Sequence, residues 1–201
     1  MSESLKIVAF LGSVRQGRMC ERVAKFVRKC LEDRGHTVTV IDPLELGLGQ
    51  VIQPMHFYRN PAEIPAILPQ LNEQLKEADA FIAIAGEYNS QISPALCSVM
   101  DHFPPVSYAF RPSAIVTYSM GNYGGIRAAM LLRQFLSELT TVHMPNMLVI
   151  SKVHESLNDA GECAGEDATS RLPKAADSMI NQLEWYARAL KKEREVGLPK
   201  Q

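Results

Sequence analysis

Cysteine is scarce and poorly spaced for chemistry in this chain of 201 residues: Cys20, Cys30, Cys97 and Cys163 form no Cys-x-x-Cys pair. No disulfide framework or zinc site of ordinary spacing can be drawn from them, and all four are expected to be small buried hydrophobes. The five histidines show neither His-x-x-x-His nor His-Glu-x-x-His, so no metal is assigned. No sign of charge dominates, with 21 basic residues against 22 acidic ones. Lys and Arg never run long enough to follow a phosphate backbone, which excludes nucleic acid as a partner. Long apolar runs are also missing. The longest, 78–86, is broken by Asp79 and falls far short of the roughly 20 residues that span a bilayer. No basic segment followed by an apolar one opens the chain, so a cytoplasmic location away from membranes is expected. Gly and Pro, 12 of each, are too few for a low-complexity sequence.

What is present suits a globular protein. Hydrophobic residues make up 46% and charged residues 21%, and the length predicts one domain over 1–201 with room for a cofactor. Short apolar runs rich in β-branched residues predict strands at 5–11, 36–41, 79–85, 113–118 and 142–150. Between them, Val23, Val27, Cys30 and Leu31 recur at helical spacing, with charged residues on the opposite face. Further helices are predicted from 64 or 65 to 77, over 94–103 with Pro at its first turn, after Gly124-Gly125 with Ala129, Leu132, Leu136 and Leu139 as its stripe, and over 167–192. The run 79–85 is apolar almost throughout, as a strand covered on both faces must be. The prediction is therefore an α/β protein with a doubly wound, five-stranded parallel sheet in the flavodoxin-like order 2-1-3-4-5 and helices on both faces. Such sheets place ligands at the carboxyl ends of the strands, beside the first and third.

Three loops fall at that edge. The first, 12–20, has neither Gly-x-Gly-x-x-Gly nor Gly-x-x-x-x-Gly-Lys-Ser/Thr. It does have Ser13, Arg15 and Arg18 ahead of a helix start, a set suited either to a phosphate or to a solvated basic turn. The second, 86–90, carries Glu87, Tyr88 and Asn89 and suits either a planar ligand or a capped turn in which Asn89, Ser90 or Ser93 satisfies helix N–H groups. The third, 119–125, is rich in glycine and carries Tyr123, which suits a ligand edge or a tight strand-to-helix turn.

Gly12-Ser13-Val14-Arg15 with Arg18, Glu87-Tyr88-Asn89 with Pro94-Ala95-Leu96, and Ser119-x-Gly121-x-x-Gly124-Gly125-x-Arg127 together resemble the NADPH-dependent FMN reductase family, flavodoxin-like NAD(P)H quinone, chromate and azo reductases. The resemblance implies FMN as cofactor, NADPH or NADH as hydride donor, and a small acceptor such as a quinone, an azo compound or a metal oxyanion. A flavin lying at the strand ends would offer nicotinamide and acceptor the same face, which predicts ping-pong kinetics. It further implies that Ser13, Arg15, Arg18 and Cys20 hold the FMN phosphate. Glu87, Tyr88 and Asn89 would line the isoalloxazine and ribityl chain, and Ser119, Gly121, Asn122 and Gly124 would contact the ring. Gly86 departs from the pattern, since the family commonly has proline there, and the segment 42–65 has no evident counterpart and could serve as a lid or a dimer contact.

Two other flavin roles share these motifs. A flavodoxin-type carrier would need an acidic docking field that a net charge of −1 does not supply, and a flavin redox sensor would act on a protein partner. A flavin-free hydrolase would need a Gly-x-Ser-x-Gly elbow, which the sequence lacks. Met100, Phe103, Met130 and Leu131 exceed what one buried helical stripe needs, and an apolar patch covered by a second subunit, in a homodimer or homotetramer, is expected.

Overall fold

The computed structural model describes residues 3–199. Its centre is built from strands that are apolar on both sides. In β1 (Lys6–Leu11) only Lys6 is exposed, in β3 (Ala80–Tyr88) residues 80–86 are all buried, and every residue of β5 (Pro112–Tyr118) is buried. Strands of this composition satisfy their backbone within the sheet and bury side chains above and below it. The edge strands β2 (Thr37–Ile41) and β6 (Val142–Ile150) are only partly covered. The five pair in parallel in the order β2-β1-β3-β5-β6, and a two-residue strand β4 (Gln91–Ile92) runs antiparallel to β3. Set aside β4, and the order is the one predicted.

Side chains alternate between two cores. On one face Ile7, Ile82, Val116 and Leu148 meet α1 (Cys20–Glu32) and α7 (Glu166–Val196) through Val23, Val27, Leu31, Leu172, Met179 and Leu183. On the other, Val8, Phe10, Phe81 and Ile115 meet α3 (Ile67–Glu77), α4 (Pro94–Asp101) and α5 (Ile126–Glu138). Two single-turn helices, α2 (Pro43–Leu46) and α6 (Val153–Ser156), complete the set. No helix among the described residues is long and apolar enough to cross a membrane.

Several expectations need correction. Only Cys20 is buried; Cys30, Cys97 and Cys163 are half-buried. Met100 and Phe103 belong to the second core at 0% and 1% exposure, because α4 lies flat on the sheet, so of the apolar surplus only Met130 is exposed and Leu131 half-exposed. The turn 88–91 is a hairpin rather than a helix cap. Asn89 and Ser90 both take positive φ, at 50° and 63°, as a two-residue turn of type I′ requires, and Ser93 makes no side-chain cap on α4. The segment 42–65 is anchored: Asp42 caps α2, Val51 N–H donates to Ser98 Oγ (2.7 Å), and Met55 N–H donates to the His102 carbonyl (2.8 Å).

Candidate active site

Because β1, β3 and β5 are parallel, the three loops leave the sheet at the same edge. Ser13 and residues 15–19, 86–88 and 118–120 line one cleft of about 280 Å³, together with Val153. The first loop sits close against its neighbours: a Cβ at Gly12 would lie 2.6 Å from Ser93 Oγ and 2.9 Å from the Ile84 carbonyl, so only glycine lets the strand turn here.

The candidate phosphate residues divide by environment. Ser13 is buried, and its hydroxyl lies 2.6 Å from the Tyr88 hydroxyl. Arg15 is exposed and its guanidinium carbon stands 3.6 Å from the centroid of the Tyr88 ring, a cation–π contact that leaves the N–H groups free to turn to an anion. Arg18 is enclosed. It donates to both Asp42 oxygens at 2.6 and 2.5 Å, to the Ser13 carbonyl at 2.7 Å and to Glu21 at 2.9 Å. Four of its five N–H groups are thus engaged, and one remains for a ligand. Cys20 lies behind the loop with its Sγ 3.8 Å from the Ser13 carbonyl, and burial pushes its thiol up to about 11. It is a neutral group at physiological pH and puts no negative charge beside the cleft.

The second and third loops are tied together. Glu87 accepts from the Arg127 backbone N–H (3.2 Å) and from its guanidinium (2.7 Å), so a loop carboxylate caps the amino end of α5. Arg127 in turn stands 5.0 Å over the Tyr123 ring. Ser119 donates to the Gly121 carbonyl, which also accepts from Lys152 N–H. Gly124 is buried: at φ +57°, a Cβ there would meet Val149 Cγ1 at 2.5 Å. Asn89, Gly121 and Asn122 are exposed at the rim, outside the cleft lining. Sequence reasoning missed Tyr118, Met120 and Val153, which line the cleft; Tyr118 reads as the last residue of a buried strand, and nothing local marks it as a site residue.

The donor set fits a flavin mononucleotide. A buried hydroxyl, a free guanidinium, one further N–H of Arg18 and the first turn of α1, whose cap residue Met19 offers no side-chain acceptor, converge on one end of the cleft. Aromatic and backbone surfaces from the other two loops form the rest.

Comparison with known proteins agrees. Residues 5–155 match the family described as NADPH-dependent FMN reductase. The chain is 32% identical over 149 residues to a quinone reductase of Escherichia coli (strain K12), covering 72% of this chain and 76% of that protein. It is 24% identical over 160 residues to an NADPH azoreductase of Bacillus sp. (strain OY1-2), covering 80% and 84%. Among solved structures, FerB, a flavoenzyme NAD(P)H:(acceptor) oxidoreductase from Paracoccus denitrificans, superimposes with a TM-score of 0.72 at 22% identity over 90% of this chain and 98% of that one. The fold and the three-loop cleft define a flavodoxin-like oxidoreductase. The chain belongs to the NADPH-dependent FMN reductase family.

Proposed function

We propose that this protein transfers electrons from NAD(P)H through a bound FMN to a quinone or similar small acceptor. The observation that carries the reading is the convergence of Ser13 and residues 15–19, 86–88 and 118–120 on one cleft at the switch point of the sheet. FMN bound there would supply the redox chemistry between the nicotinamide and the acceptor. The chain's own residues bind and orient. Ser13, Arg15 and the remaining N–H of Arg18 hold the phosphate, with Cys20 packed behind them. Glu87 fixes α5 against the second loop, while Tyr88 and Asn89, with Ser119, Gly121, Asn122 and Gly124, shape the surround of the ring. No side chain is assigned as a general acid or base.

In this reading nicotinamide and acceptor share one approach to the bound flavin and use it in turn. The quinone reductase of Escherichia coli and the azoreductase of Bacillus sp. support acceptors that are small and flat. Steady-state rates measured over a matrix of NADPH and benzoquinone concentrations are expected to give parallel double-reciprocal lines with acceptor inhibition at high concentration. Intersecting lines would require both substrates bound together and would overturn the shared approach.

A further inference from the structure

Glycine at position 86, where the family pattern leads one to expect proline, has a physical cause in this fold. A Cβ built at Gly86 would stand 3.1 Å from both Cζ and the hydroxyl oxygen of Tyr118, so the space above Gly86 is already filled by that ring. Gly86 and Tyr118 are register partners across β3 and β5. From there the tyrosine packs in one buried cluster with Cys20, the first residue of α1, and lines the cleft together with Ser13 and Arg18. The side chain is only 6% exposed, yet it lines the cleft. It therefore forms a floor that runs from the third loop's strand to the phosphate end.

Resting on the FMN reading above, we infer that Tyr118 is a further cofactor-binding residue, its hydroxyl donating a hydrogen bond to the phosphate end of FMN. Burial raises the phenol well above its ordinary value, so it stays a neutral donor throughout the physiological range. Gly86 is the complementary half of the device, because a Cβ there would press on the ring that carries the donor and shift it by a few tenths of an ångström.

The test compares apoprotein affinities for FMN and for riboflavin, which lacks the phosphate, by quenching of flavin fluorescence. Tyr118→Phe keeps the ring and removes only the donor. It is expected to weaken FMN about tenfold, the scale of one hydrogen bond to a charged group, and to leave riboflavin affinity and the apoprotein's thermal midpoint unchanged. Gly86→Ala is expected to weaken FMN in the natural chain and to add nothing to Tyr118→Phe. Unchanged FMN affinity in Tyr118→Phe, an equal loss for both flavins, or a lowered thermal midpoint with FMN affinity intact would overturn the inference. Failure of the natural apoprotein to bind FMN at all would instead overturn the FMN reading on which it rests.

Discussion

Arg15 and Arg18 stand three residues apart on one loop, and their surroundings give them different work. The side chains of Arg18 and Asp42 are 5% and 6% exposed and joined by two hydrogen bonds, so removing the guanidinium strands a buried carboxylate. Arg18→Ala is expected to cost about 3–5 kcal/mol of folding stability, in addition to any loss of FMN. Arg15 is exposed and stacks on Tyr88. Arg15→Ala should leave the thermal midpoint in place while weakening FMN roughly ten- to a hundredfold, as loss of a charge-assisted bond to phosphate would. Thermal melts of both variants beside FMN titration separate the two roles; unchanged FMN affinity in Arg15→Ala would remove it from the phosphate site. Sequence could place both arginines on the loop, but not tell them apart, because the partner that distinguishes them lies 24 positions away at the end of β2.

Elements differ in how plainly the sequence announces them. The strands β1, β3 and β5 were legible because burial on both faces demands unbroken apolar runs, and β6 coincides with the predicted 142–150. β4 was not. It exists because Asn89 and Ser90 both adopt left-handed φ, a backbone choice that the hydrophobic pattern does not record. The segment 42–65 lacks any period and is held by contacts to α4 at Ser98 and His102, which only the folded chain brings near. The third loop's glycines were legible as a turn or a ligand edge. Gly124 proves to be packed against Val149 and the Ser151 N–H. Gly124→Ala combines a strained φ with a steric clash and should cost about 2 kcal/mol or more. In a chain of this size that lowers the thermal midpoint by roughly 4–8 °C, measurable by calorimetry. A midpoint equal to the natural chain's would show that the loop can relax.

For the whole molecule, the outer face of α4 is the unfinished surface. A cavity of about 660 Å³ lies between it, residues 49–51 and Phe135 of α5, with Val14 of the first loop on its wall, and Met130 is exposed on α5. We propose that a second copy of the chain covers this side, in a homodimer or in a homotetramer built from such pairs. Light scattering at micromolar concentration should return two or four times the 22.3 kDa of one chain, and a monomer mass would contradict it. The apolar surplus behind that expectation was only partly legible: of its four residues two serve the core, since sequence spacing does not say how flatly a helix lies on its sheet.

The three loops are proposed to bind FMN and present it to NAD(P)H. That role is tested most directly by the visible spectrum of the purified protein, titrated anaerobically with NADPH or NADH after the released flavin has been identified by mass spectrometry. FMN is expected as the released flavin, with stoichiometric bleaching of the flavin band that is restored on adding benzoquinone. A protein that retains no FMN when reconstituted with it, or whose flavin band persists under both nicotinamides, would contradict it.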